Sequence, residues 1–230
     1  MRAEICAGPG DAAMHAAVLI AGYIEDAILA RGVASIALSG GTTPADMFVA
    51  LAGAEVDWSR VHVFQVDERI VAADDPGRNW LFIRSAFARS GIPGSQLHAM
   101  GVDGDAPDVA MADYSRVLRA VAGSPPTLDV VHLGLGEDGH TASLFPGDPG
   151  LDADVDADVA LTGVHKGLRR MTLTLGVLNR ARARVFLVTG PAKRAIVARL
   201  LGPDDGLVAQ RITGDGSVLV MDRDAAGTLS

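Results

Sequence analysis

The sequence predicts an α/β fold, a doubly wound, mostly parallel sheet flanked by helices in a single domain. Three observations predict it. Short apolar runs of strand length alternate with segments of helical periodicity, the pattern of successive strand–helix units. Hydrophobic residues make up 49% of the chain but aromatic ones only 4%, so Ala, Val, Leu and Ile must build the core. That balance suits parallel strands buried on both faces between alanine-rich helices. At 230 residues the chain can bury one substantial core.

The elements follow in order. Met1-Arg-Ala-Glu-Ile-Cys6 runs straight into a short strand. Residues 11–31 read as a helix in which Asp11 can cap the start and Gly32 supplies the stop. Met14, Val18, Ala21, Ile24 and Ile28 recur there at steps of three and four, which predicts the buried face. Residues 33–38 form an apolar strand and 44–51 a helix; 61–66 is a second strand and 79–88 a helix. A further helix spans 109–121, and the apolar run 128–133 reads as a buried strand. A late strand at 184–189 leads into a helix at 191–201, with Pro191 at its start and Gly202 past its end. The segment 147–167 is expected to be irregular. Asp148, Asp152, Asp154, Asp156 and Asp158 crowd there as a solvated acidic surface, since the central Gly and terminal Glu of an EF-hand loop are missing. A wound sheet of this kind is Rossmann-like, and such sheets bind ligands outside the carboxyl ends of their strands.

Charge and cysteine content bound the partners. A net charge of −8 argues against nucleic acid, whose binding needs a basic face, and implies that an anionic substrate is held by local cations and amides. The single cysteine, Cys6, excludes an intrachain disulfide and fits a reducing compartment. No basic-then-apolar leader is visible, and no uninterrupted apolar stretch approaches the roughly 20 residues that span a bilayer. The expectation is a cytoplasmic protein without membrane contact. Oligomeric state is not legible beyond an expectation of monomer or weak dimer.

Chemistry concentrates after the strand at 128–133. Gly134-Leu-Gly-Glu-Asp-Gly-His140-Thr-Ala-Ser-Leu-Phe-Pro-Gly147 packs glycines around Glu137, Asp138 and His140, so the backbone turns sharply and leaves room for a ligand. A histidine beside a carboxylate at the end of a strand is a common general-base arrangement. A second loop, Ser39-Gly-Gly-Thr-Thr-Pro44, joins a strand to a helix. Gly40 and Gly41 let amides approach an anion, Thr43 can cap the helix, and Asp46 sits where a capping-box acid would. The Gly spacing of a dinucleotide fingerprint and the Lys of a Walker A loop are absent. Asp67-Glu-Arg69 projects from the end of another strand, with Arg78-Asn79 following, and Arg suits bidentate contact with phosphate or carboxylate. Lys193 lies in the first turn of its helix; Lys166 and Arg170 precede the run Met171-Thr-Leu-Thr-Leu175. His15, His62, His98 and His132 fall within helix or strand patterns and read as structural. His165 lies near the rim, with nothing in its spacing to mark it as catalytic. No metal-ligand spacing is present, so neither a metal nor another cofactor is expected.

These blocks together carry a resemblance. The segment at 134–147 is similar to the signature of 6-phosphogluconolactonases. The blocks 38–44, 66–71 with 78–80, and 170–175 through 188–193 occur in that family's order, covering roughly residues 35 to 200. The resemblance implies a single sugar-phosphate hydrolase domain over 1–230 that converts 6-phospho-D-glucono-1,5-lactone to 6-phosphogluconate in the pentose phosphate pathway, without metal. It implies that His140 activates water, that Asp138 or Asp67 orients it, and that Arg69 holds the substrate or the developing oxyanion. It makes Ser39, Gly40, Gly41, Thr42 and Thr43 the sugar-phosphate site, with Lys193 and some of Lys166, Arg78, Asn79 and Arg170. Glucosamine-6-phosphate deaminases resemble the chain too. They follow Asp-Gly-His with Ile-Ala-Phe-Asn-Glu and carry Asp-Glu-Tyr, where this chain has Thr141-Ala-Ser-Leu-Phe-Pro146 and Asp67-Glu68-Arg69. A third reading is a sugar-phosphate-sensing domain without catalysis.

Overall fold

The computed structural model describes all residues except 42, 105, 154–155, 213–215 and 229–230. Among the described residues the chain runs β1 (Arg2–Cys6), α1 (Pro9–Arg31), β2 (Ala34–Leu38), α2 (Ala45–Ala52), β3 (Val61–Gln65), β4 (Asp67–Arg69), α3 (Asn79–Ala86), β5 (Leu97–His98), α4 (Pro107–Ala122), β6 (Val130–Leu133), β7 (Val159–Leu161), β8 (Arg170–Leu173), α5 (Leu175–Arg180), β9 (Ala183–Val188), α6 (Arg194–Leu201), β10 (Ser217–Asp222) and α7 (Arg223–Ala226). The expected doubly wound sheet is there: seven parallel strands in the order β1-β10-β9-β6-β2-β3-β5.

That order decides where the chemistry sits. From β2 the chain winds outward through β3 to β5, then returns to β6 and winds the other way through β9 to β10. The direction reverses between the neighbours β2 and β6, and a crevice opens at such a switch point. The loops after β3, β2, β6 and β9 therefore emerge side by side at one sheet edge. Alternate residues of each strand feed opposite faces, as the two-residue strand period requires. Phe186 and Val188 enter one core with Phe64 and Leu133, while Val185 and Leu187 enter the other with Ile36 and Val63.

Several local expectations are corrected. α1 begins at Pro9, with Gly8 rather than Asp11 at its cap, though Gly32 ends it in a left-handed conformation as expected. Its buried face is Ala12, Ala13, Ala16, Ala17, Ile20, Ile24 and Ala27, while Met14 and Val18 are 56% and 61% exposed. The alanine stripe lets the helix axis lie close to the sheet, and that turns the bulkier residues outward. By length and mean hydropathy α1 could cross a membrane, but Asp11, Glu25 and Asp26 interrupt it, in line with the absence of an unbroken apolar run, and its alanine face is packed on the sheet. Pro44, not Thr43, stands at the cap of α2, with no side-chain capping bond. Pro191–Lys193 forms a 3₁₀ turn ahead of α6 rather than its first α-helical turn.

A small antiparallel sheet, β4-β8-β7, was not expected. It pairs Asp67 with Thr172 and Arg69 with Arg170, so the residues beyond β3 form a strand rather than a loop. The acidic surface at 147–167 is also corrected. Asp158 is buried against Arg119, Arg180 and the Ser115 hydroxyl, and Asp148 is buried against His165 and two backbone amides. Asp152 and Asp156 are exposed, and Asp154 lies outside the described residues.

Candidate active site

The four adjacent loops enclose a cleft of about 680 Å³. His140 and Asp138 come from the loop after β6, Ser39, Gly40, Gly41 and Thr43 from the loop after β2, and Asp67, Arg69 and Asn79 from the segment after β3. Lys193 follows β9, while Lys166 and Arg170 flank the hairpin into β8. Thr42 lies outside the described residues.

The central pair is local. His140 Nδ1 bonds Asp138 Oδ1, and the His140 backbone N–H donates to the same oxygen at 3.2 Å. The turn that brings them together is closed by Gly136 N–H to the His140 carbonyl, 2.8 Å, and Gly139 N–H to the Gly136 carbonyl, 3.0 Å. A carboxylate only accepts, so the shared proton lies on Nδ1 and Nε2 is left as the open nitrogen of the neutral ring. Burial works against the charge on Asp138, but the hydrogen bonds and attraction from His140 outweigh it and hold the carboxyl below its ordinary value.

Asp67 does not touch this pair. It is buried and accepts the Ser143 hydroxyl at 2.5 Å. Loss of water raises its pKa, with Ser143, Arg69 and Arg170 opposing. Of the two carboxylates expected to orient His140, Asp138 is the one in place. Asp67 leaves β3's end on β4, which packs it against Ser143.

Arg78 is the clear failure among the site expectations. It is 3% exposed, pairs with Glu68 at 3.2 Å and donates to the Val71 and Met100 carbonyls, so it is committed to the fold. Glu68, fully buried, also accepts the Asn79 and Trp80 backbone N–H groups, each at 2.8 Å, which satisfies the start of α3. Asn79 is buried at the cleft wall, its amide donating to the Asp67 carbonyl at 2.9 Å.

The cations differ in freedom. Lys193 donates Nζ to the Leu135 carbonyl at 2.7 Å, which ties it to the root of the His140 loop. Arg69 donates to the Gly77 carbonyl. Arg170 stands 5.0 Å from the centre of the Phe145 ring, a cation–π distance. Burial lowers its pKa, Asp67 opposing and Arg69 adding to the effect. Lys166 and Gly167, both at positive φ, form the tight turn closed by the His165–Leu168 bridge, a two-residue hairpin geometry that Gly167 accommodates.

Sequence spacing missed Phe145, His165, Ser143 and His132, all of which line the cleft. Phe145 and Ser143 lay inside the quoted motif without a chemical signature of their own. His132 is 2% exposed, with the Ser39 backbone beside its ring. Burial drives its pKa down from 6.5 to about 3. The folded ring therefore stays neutral while the unfolded one takes up a proton below pH 6.5. The unfolded state binds more protons there, so this contribution is intact above that pH and is lost as pH falls toward 3. His132→Leu is expected to remove the penalty, gaining about 2 kcal/mol relative to the parent between pH 7 and pH 5. Denaturant unfolding of both proteins at the two pH values checks this, and parallel losses would refute it.

Comparison with known proteins agrees with the geometry. A family model described as glucosamine-6-phosphate isomerases/6-phosphogluconolactonase matches residues 8–220. A 6-phosphogluconolactonase of Synechocystis is 38% identical over 195 residues, 83% of this chain and 80% of that protein. A 6-phosphogluconolactonase of Mycobacterium tuberculosis is 37% identical over 224 residues, 91% of each chain. Among solved structures, the 6-phosphogluconolactonase of Trypanosoma brucei superposes with a TM-score of 0.87 at 25% identity, covering 100% of this chain and 98% of that one.

Proposed function

The chain belongs to the glucosamine-6-phosphate isomerase/6-phosphogluconolactonase family, and from that premise we propose how it acts. It hydrolyses 6-phospho-D-glucono-1,5-lactone to 6-phospho-D-gluconate, a reaction of the pentose phosphate pathway, with His140 as the base that activates water. The hydrogen bond between His140 Nδ1 and Asp138 carries this reading, because it leaves Nε2 open to the cleft. Nε2 takes a proton from water as the oxygen attacks the lactone carbonyl at C1. The resulting imidazolium is stabilised by Asp138 and returns the proton to the departing ring oxygen. Arg69, at the cleft wall, supplies positive charge for the substrate or for the oxyanion that develops on C1. The loop at 39–43 with Lys193, and the cations Lys166 and Arg170, grip the phosphate.

The deaminase reading is weaker on two counts. Arg69 stands where those enzymes carry Tyr, and the curated relatives at 37–38% identity are named as lactonases. A coupled assay with freshly generated phosphogluconolactone, run beside glucosamine 6-phosphate, decides between them. Turnover of the amine alone would overturn the assignment. The reading places the enzyme in the cytoplasm, in keeping with the lone Cys6, and as a monomer or weak dimer.

Selection for the phosphorylated substrate is expected to depend on Gly41. Its φ of +116° is a conformation that side chains other than glycine's resist, and it lines the cleft beside the start of α2. Gly41→Val is expected to cut the specificity constant on the phosphorylated lactone far more than on plain gluconolactone. The wild type should prefer the phosphorylated form, because an empty anion site forfeits charge-assisted hydrogen bonds of roughly 1.5–3 kcal/mol each. Equal wild-type efficiency on both lactones would mean that the loop is only a turn.

A further inference from the structure

The cleft contains a second imidazole fixed by a carboxylate. His165 Nε2 meets Asp148 Oδ2 at 2.7 Å, and the Asp148 side chain is 1% exposed. Its oxygens also accept the backbone N–H groups of Gly150, at 2.7 Å, and Gly163, at 2.9 Å. An ionised carboxylate has no proton to give, so Nε2 carries the hydrogen and Nδ1 of the neutral ring is an acceptor. The ring lies nearly flat on Phe145, with centroids 3.9 Å apart and planes at 19°. Phe145 also meets His140, at 4.4 Å between centroids, and Arg170. His165 is also pinned through its backbone by the turn with Leu168.

A ring needed only to anchor that turn has the stack and the backbone pairing already. Two amides already serve the Asp148 carboxylate, so its contact with Nε2 acts chiefly to set the tautomer and direction of the imidazole. The result is a rigid ring with one lone pair to offer, lining the same cleft as His140 and touching the same phenyl ring.

We propose that His165 is a specificity-determining residue, accepting through Nδ1 a hydrogen bond from one hydroxyl of the sugar lactone bound against Phe145. This role rests on the lactonase reading above and adds to it a contact that selects the substrate's hydroxyl pattern. Lys166 and Arg170 beside it remain available to the anionic end of the substrate.

The test is a substrate–residue cycle. kcat and KM are measured for the wild type and His165→Phe, which keeps an aromatic ring on Phe145, on the phosphorylated lactone and its 2-, 3- and 4-deoxy counterparts. The variant is expected to lose about ten-fold in kcat/KM on the full substrate, mostly through KM. The wild type should lose a similar factor on one deoxy lactone, and the variant nothing further on that same compound. Equal additional losses on all three deoxy compounds would overturn the proposal and leave His165 as an anchor. A loss that vanishes on the unphosphorylated lactone would overturn it in favour of a phosphate contact. Failure of the wild type to turn over the full lactone would defeat the lactonase reading itself, whereas an active wild type with additive losses defeats only the role of His165. If His165→Phe does not fold, His165→Leu carries the same comparison, since it too lacks an acceptor.

Discussion

Replacement of His140 by alanine is expected to lower turnover by about 10²–10⁴-fold while leaving the fold intact. The imidazole bonds Asp138, packs at a tilt on Phe145 and is 29% exposed, so its removal leaves no buried cavity of consequence. Asp138→Asn should fall between the two proteins. It keeps the turn but presents an amide that no longer fixes the Nδ1 proton or stabilises the imidazolium. Steady-state rates with thermal unfolding on the same samples separate chemistry from stability. A folded His140→Ala protein with near-normal turnover would end the general-base assignment.

A single methyl group at Gly136 is expected to do nearly as much damage. A Cβ built there would stand 2.1 Å from His140 Nδ1, 2.2 Å from Cε1 and 2.6 Å from Asp138 Oδ1. None of these distances is sterically allowed, so the imidazole and carboxylate must swing away. Both reach solvent, so the cost to stability is small, on the order of 1 kcal/mol or less. The cost to catalysis is large, because misplacing a reacting group by about 1 Å can cost 10²-fold. Gly136→Ala should therefore lose at least about 10² in kcat with nearly unchanged unfolding temperature. Retained activity would show that the chemistry does not use this pair.

The parts of the site that were legible are those whose geometry is set within a few residues. Asp138 and His140 are two positions apart in a glycine-rich turn, and the bond between them follows from that turn. Gly32 closing α1 is local in the same sense, since one left-handed residue satisfies the last helical carbonyls. The parts that were misread depend on a distant partner. Arg78 had the right charge and spacing for a phosphate ligand, but Glu68 takes it into the interior. Asp148 and Asp158 looked like surface acids because each pairs with a residue far along the chain or with backbone beyond the local turn. His165 carried no signal because Asp148 and Phe145, its two supports, lie some twenty residues before it and reach it only through the fold. The face of α1 was misjudged for a related reason. Periodicity fits both the alanine stripe and the bulkier Met14–Val18 stripe, and only the sheet selects the one that packs close.

The sequence by itself determined the alternation of strands and helices, the glycine-rich loops that line the cleft and the Asp138–His140 pair. These are matters of hydrophobic period, turn chemistry and contacts within a few bonds. The tertiary structure decided that β6 lies beside β2, which brings the two glycine loops to one cleft, and that β4 pairs with β8, which sets Arg69 opposite Arg170. It also decided which charges are spent inside the fold and which remain for a ligand. Strand neighbours and buried ion pairs are chosen by the burial of whole faces against one another. That free energy belongs to no single segment, so no local stretch of residues records it.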